Sequence, residues 1–258
     1  MSNSLKSKVT GSAYNEKFYK DISDSSYSSA KIFLDYLWQY FQPASVLDVG
    51  CGKGAWLKAC HEYGSEDLIG FDGGWVDESE MLDKKIEFKP VDLNSKFLLN
   101  KKVDLTISLE VAEHLKNESS NQFIECLTKT SEIILFSAAY TGQGGTDHIN
   151  ENKHSYWANI FAKYDYKPFD LFRPKFWGDT RVGFWFRQNT FLYVKKNSDL
   201  FKKFQSINIQ EIHNRDFMDC VHPKLYEHKC GEGLSFTLHV KSIIPSFFKA
   251  IRRRFNKI

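Results

Sequence analysis

The sequence predicts an α/β fold, a doubly wound and mostly parallel sheet with helices on both faces. Three observations predict it. Short apolar runs rich in β-branched residues recur along the chain and end in glycines, acids or polar turns, the pattern of strands covered on both faces. Between them lie stretches whose apolar residues repeat at three- and four-residue spacing, the helical period. With 258 residues, 42% apolar and 16% aromatic, the chain can bury a large core.

Residues 1–42 are expected to form an N-terminal helical segment. From Tyr14 to Phe41 the pattern is helical, with Ile32, Phe33, Tyr36, Leu37 and Tyr40 on one side, and Gln42-Pro43 ends it. Residues 43–197 form the main domain, and 198–258 an extension. The domain opens on Val46-Leu47-Asp48-Val49-Gly50-Cys51-Gly52-Lys53-Gly54, a buried strand running into a glycine turn. Glycine takes positive φ and has no Cβ, so a ligand can lie almost on this backbone, and the amides ahead of a helix donate to it. The spacing is neither the G-x-G-x-x-G dinucleotide fingerprint nor a P-loop. A helix from Ala55 to Tyr63 follows, with Trp56, Leu57 and Cys60 inward.

The second strand, Asp67 to Phe71, ends at Asp72 before Gly73-Gly74. A carboxylate there can accept from two ribose hydroxyls, or cap the turn. Ile86 to Leu93 is the third strand and ends on Asp92-Leu93. Val103 to Leu109 is the fourth, followed by Glu110-Val111-Ala112-Glu113-His114-Leu115; strand carboxyl ends face ligands in open α/β sheets, so Ser108, Leu109 and Glu110 point to the site. After a helix over 118–132 comes a continuous apolar strand, Ile133 to Ala139, and then the polar loop Tyr140 to Glu151. His148 on that loop is the candidate general base, its ordinary pKa near neutrality suiting proton removal, with Asn150 and Glu151 to orient it or to hold an acceptor; it can equally brace the loop. Tyr156 to Tyr164 is a helix, and Phe169 to Phe172 and Thr190 to Val194 are the last strands. The connection between them carries Arg173, Lys175, Trp177, Arg181, Trp185 and Arg187, suited to an anionic acceptor or to a solvated loop.

Asp48-Val49-Gly50-Cys51-Gly52-Lys53-Gly54 resembles the first motif of class I S-adenosylmethionine (SAM)-dependent methyltransferases. Glu110-x-x-Glu113-His114-Leu115 resembles their fourth. Gly144-Gly145-Thr146-Asp147-His148-Ile149-Asn150-Glu151 with Ser155-Tyr156-Trp157 resembles a loop in a subset of bacterial enzymes, many acting on sugars or capsule and surface-glycan precursors. The resemblance spans about residues 40–195. It implies a seven-stranded sheet ending in an antiparallel hairpin, with SAM as cofactor and S-adenosylhomocysteine as product. It assigns the methionine end of SAM to Asp48, Gly50, Gly52, Gly54 and Trp56, the ribose to Asp72 and Gly73, and the adenine to Asp92 and Leu93. Ser108, Leu109, Glu110 and His114 would line the cofactor. It implies that the N-terminal helix, residues 1–42, covers the site as a lid, with Tyr14, Tyr19 and Tyr27 over the acceptor or packed on the core; Asn150, Arg173, Arg181 and Arg187 are the acceptor candidates read from their own chemistry.

The implied activity is O-methylation of a small polar acceptor such as a sugar, phosphosugar or phosphoramidate. The alternatives are N-methylation of a small amine or nucleic acid, and a non-catalytic SAM-binding scaffold. Ser108-Leu109-Glu110-Val111 stands where base N-methyltransferases carry Asn/Asp-Pro-Pro-Tyr/Phe, and a net charge of +3 gives no nucleic-acid footprint. No His-Glu-x-x-His motif occurs, so no metal is expected. Cys51, Cys60, Cys126, Cys220 and Cys230 are scattered, which suits reduced thiols and a cytoplasmic protein. From Ile243 to Ile258 a basic amphipathic pattern suits peripheral contact with an anionic membrane, a partner, or packing on the domain.

Overall fold

The computed structural model describes residues 16–230. Tyr14 and the basic segment from Ile243 lie outside them. The chain divides into two units, residues 1–218 and 219–258. The first unit extends beyond the expected boundary at residue 197.

A seven-stranded sheet organises the first unit. Its strands are β1 (Ser45–Val49), β2 (Asp67–Asp72), β3 (Glu87–Pro90), β4 (Leu105–Leu109), β5 (Ile133–Ser137), β6 (Tyr166–Phe169) and β7 (Phe191–Lys195), in the order β3-β2-β1-β4-β5-β7-β6. The first five run parallel; β7 is antiparallel to both neighbours. The chain crosses the sheet after β3, so β1 and β4 lie side by side at the point where strand order reverses. Ligands bind outside the carboxyl ends of strands at such a point.

The helices are α1 (Glu16–Leu37), α2 (Ala55–Glu62), α3 (Ser120–Thr130), α4 (His154–Ala162), α5 (Arg173–Phe176), α6 (Phe184–Asn189) and α7 (Asp199–Ser206). In the second unit, α8 (Pro223–Cys230) is the one helix among the described residues. Successive strand residues serve opposite cores: Val46 packs with Phe33, Leu57 and Leu105, whereas Leu47 and Val49 pack with Phe71, Ile124 and Phe136. That alternation is why the strands read as unbroken apolar runs. No helix among the described residues is long and apolar enough to cross a membrane.

Three elements differ from expectation. The carboxyl half of α1 is a wall of the core: Ala30, Phe33, Leu34 and Leu37 are fully buried, and Phe33 stacks on Phe172 with centroids 4.6 Å apart. β6 starts at Tyr166, ahead of the expected Phe169, because Tyr166 is buried and its hydroxyl donates to the carbonyls of Thr128 and Ser131. Phe172 is thereby released from the sheet to meet α1. The connection from 173 to 189 forms α5 and α6 instead of a loop. α7 joins the same core through Leu200, Phe201 and Phe204, and so lies within the first unit.

Candidate active site

The turn after β1 is shaped by positive φ at Gly50 (86°) and Gly52 (52°). A Cβ on Gly50 would sit 2.2 Å from Cγ2 of Val111, the residue after Glu110, so this glycine lets the β1 and β4 ends close against each other. At Gly52 a Cβ would meet nothing within 4 Å, leaving open space above the turn. Asp72, at the end of β2, spans the two turns: its carboxylate accepts from the Gly52 amide at 2.7 Å and the Gly73 amide at 2.6 Å. A carboxylate offers about four acceptor positions, so each oxygen keeps a lone pair for a ribose hydroxyl. Burial pushes the Asp72 carboxyl up, and the two amides oppose it. The exposed ring of Trp75 lies directly over Gly73. The turn, its open face and Asp72 fit the methionine and ribose ends of SAM.

Asp48 is buried, and desolvation with the nearby Asp72 charge pushes its carboxyl up to about 8. Its folded-state value stands above the unfolded one of about 4. The native state therefore holds a proton across that window that the unfolded chain has lost, and stability falls as pH rises through it. Asp48→Asn is expected to flatten this fall in thermal melts taken between about pH 5 and 8; a wild-type slope in the variant would refute the assignment.

The remaining cofactor candidates divide. Trp56 is core, edge-on to Phe33 and Phe186. Leu93 is buried in the opposite core. Asp92 is exposed and caps its own loop, accepting from the Asn94 amide at 3.0 Å and the Ser95 hydroxyl at 2.7 Å, which hold its carboxyl low. Gly54 closes the turn at φ 80° and caps α2. Ser108 is fully buried with its hydroxyl unpartnered, and Leu109 is half-buried.

Beyond β4 the backbone turns sharply at Glu110, whose φ is 56°. Its carboxylate accepts from Asn189 at 3.1 and 3.2 Å and from Gln143 at 3.4 Å. Its amide donates to the Ser137 hydroxyl at 3.0 Å. Burial pushes this carboxyl up, against hydrogen bonds from Ser137, Asn189 and Gln143 and the nearby His148. Gln188 donates to both Gln143 and Asn189, and His154 contacts Asn189 Oδ1 at 3.0 Å. Sequence reasoning passed over Ser137, Gln143, Gln188 and Asn189. The one signal was a polar run, Arg187-Gln188-Asn189-Thr190, set between Phe186 and the apolar last strand.

His148 is largely buried, and its Nδ1 lies 2.9 Å from Oε1 of Glu151. Glu151 also accepts the Gly142 amide at 2.8 Å and the Gly144 amide at 2.5 Å, so one carboxylate gathers the whole loop around the imidazole. A Cβ on Gly145 would fall 2.3 Å from His148 Nε2. The His148 ring meets His114 edge-on, centroids 4.8 Å apart, and His114 Nδ1 faces the Asp147 carbonyl at 3.3 Å.

The proposed acceptor ligands are corrected in part. Asn150 is buried and spends its amide on Ala112, Ser120, Asn117 and Asn152, so it braces the loop. Arg173 is buried and donates to the carbonyls of Phe217 and Met218 and to Asp170. Arg187 is buried and donates to the Trp177 carbonyl. Arg173 holds a distant chain segment from inside, and Arg187 ties α6 to the end of α5. Arg181 is exposed and ion-paired to Asp179 at 2.6 Å. It borders an open groove with Lys31, Tyr36 and Lys175 that shares no lining residue with the Glu110 network. Tyr19 belongs to α1.

A sheet of this order, with a glycine turn after β1 and an acid ending β2, defines the class I SAM-dependent methyltransferase fold. Residues 27–139 match a family model described as a methyltransferase domain. DesVI from Streptomyces venezuelae aligns at 13% identity over 70% of this chain and 96% of its own, with a TM-score of 0.52. Magnesium protoporphyrin IX methyltransferase from Synechocystis, with SAM bound, aligns at 18% over 73% of this chain and 88% of its own, TM-score 0.51. An O-methyltransferase family protein from Burkholderia thailandensis aligns at 10% over 72% of this chain and 61% of its own, TM-score 0.51. At these identities the likeness is one of fold. No significant match was found among curated protein sequences. The match to the methyltransferase domain covers residues 27–139, and the fold is that of SAM-dependent methyltransferases.

Proposed function

We propose that the protein methylates a hydroxyl oxygen of a small polar acceptor, a sugar or phosphorylated sugar of the kind used as a surface-glycan precursor. SAM supplies a methyl group already activated on a sulfonium sulfur. What this chain must add is alignment of the acceptor and activation of its hydroxyl. The observation that carries the reading is the His148–Glu151 pair, with the imidazole fixed through Nδ1 at the carboxyl edge of the sheet. Orientation of a histidine by a carboxylate is the arrangement that prepares its other nitrogen for chemistry on a hydroxyl. The glycan precursor is supported by the resemblance of the Gly144–Glu151 loop to that of bacterial sugar methyltransferases.

The test is a SAM-dependent turnover screen over sugar nucleotides and phosphorylated sugars, with calorimetry for SAM and S-adenosylhomocysteine. Both nucleosides are expected to bind, and the methyl group to be found on oxygen. Methylation confined to amines would overturn the acceptor reading. Absence of binding at millimolar nucleoside would overturn the site.

A further inference from the structure

We propose that Glu113, His114 and His148 form a binding site for one divalent transition-metal cation. One donor atom from each lies within 4.8 Å of the others. Glu113 is fully buried; no side chain hydrogen-bonds its carboxylate, and the donors beside it are the Glu113 and Ala139 amides, neither of which reaches good hydrogen-bond geometry. An ionised carboxylate in that position is costly unless something positive meets it. Glu110 and Glu151 add charge of the same sign beside it. Among the described residues, no lysine or arginine ion-pairs with any of the three.

Both imidazoles are prepared as ligands. His148 Nδ1 faces Glu151 and His114 Nδ1 faces the Asp147 carbonyl, so in each ring the acceptor holds the proton on Nδ1 and leaves the lone pair on Nε2. A carboxylate or carbonyl behind a histidine is the usual outer support of a metal ligand. Glycine at 145 leaves Nε2 of His148 room that a Cβ would take.

The three residues come from two segments far apart in sequence, Glu113 and His114 from one and His148 from the other, and the backbone locks them together. The amides of Ile149 and Asn150 both donate to the Glu113 carbonyl at 2.9 Å, and the Asn150 side chain donates to the Ala112 carbonyl at 3.1 Å. The loop bearing His148 is thus stitched to the turn bearing Glu113 and His114. Two imidazoles and one carboxylate form a set suited to zinc and its first-row neighbours, with coordination positions left open. Ligand atoms of a tetrahedral site stand about 3.3 Å apart, so side-chain shifts of about an ångström close the set. The consequence for catalysis rests on the hydroxyl reading above; the site itself does not. The acceptor oxygen would bind at an open position and ionise there, its proton passing to water, and His148 would serve as ligand.

The experiment uses the untagged full chain, stripped with a chelator and titrated with Zn2+ and with Co2+, without acceptor. One ion per chain is expected, with cobalt giving the visible absorption of nitrogen–oxygen coordination. Glu113→Gln and His148→Ala are expected to weaken binding by about 100-fold, and Glu151→Gln by about 10-fold or more, because it only supports a ligand. Retained S-adenosylhomocysteine binding shows that each variant is folded. Stoichiometric binding that survives unchanged in Glu113→Gln and His148→Ala, or no stoichiometric binding at all, overturns the proposal. Cation binding without oxygen methylation would sink only the acceptor reading, and oxygen methylation indifferent to chelation would sink only the catalytic consequence drawn for the cation.

Discussion

Gly50→Ala is expected to lower the melting temperature by about 4–20 °C and to abolish measurable SAM binding. Two costs combine. A non-glycine residue at a φ of 86° pays about 1–2 kcal/mol. The new methyl, 2.2 Å from Val111 Cγ2, adds about 1–3 kcal/mol of overpacking. At about 2–4 °C per kcal/mol for a domain of this size, the range follows. The turn cannot relax outward, because the Gly50 and Cys51 amides both donate to the Phe71 carbonyl, at 2.7 and 3.1 Å. Adding Val111→Ala should recover part of the loss, since it removes the clash and leaves the dihedral strain. Calorimetric melts and SAM titration check both variants. A single variant that melts with the wild type, or a double variant with no recovery, would contradict the close approach of the β1 and β4 ends.

His148→Ala is expected to reduce turnover at saturating acceptor by about 10²–10⁴-fold, with affinity for SAM little changed. The candidate cofactor cradle lies at the β1 and β2 turns, and His148 sits on the loop after β5. Glu151→Gln should act on both the reaction and the loop. It keeps an acceptor for Nδ1 but weakens the bonds from the Gly142 and Gly144 amides, so turnover should fall and the loop should become more open to proteolysis. Turnover in His148→Ala within a few-fold of the wild type would refute the assignment.

The glycine-turn side of the candidate site was legible in the sequence because its geometry is local. Asp48, the glycine turn and Asp72 belong to one strand–turn–helix–strand unit, and the apolar runs of β1, β2, β4 and β5 report double coverage directly. The acceptor side was not. Arg173 and Arg187 look like surface ligands until the Met218 and Trp177 carbonyls reach them. Asn150 looks like an acceptor contact until Ala112 and Ser120 take its amide. The Glu110 network needs the sheet order, which brings the residues before β7 beside the ends of β4 and β5. The convergence of Glu113 and His114 with His148 depends on two backbone hydrogen bonds that no residue pattern announces. β6 was misplaced for a related reason: Tyr166 and Phe169 are both apolar enough to start it, and only the buried carbonyls of Thr128 and Ser131 choose between them.

The insertion of β7 between β5 and β6 sets the order in which the sheet can be completed during synthesis. Among the described residues β6 pairs only with β7, so it emerges from the ribosome ahead of that partner. Until residue 195 has followed, β5 presents an open edge whose Ile133–Phe136 run is apolar, the kind of edge that recruits other chains. The parallel half can form early from its own neighbours, but the last strand of the sheet to be made is the one that both β5 and β6 wait for. A pause or truncation in this interval therefore exposes the nascent protein more than one anywhere in the cofactor-binding half.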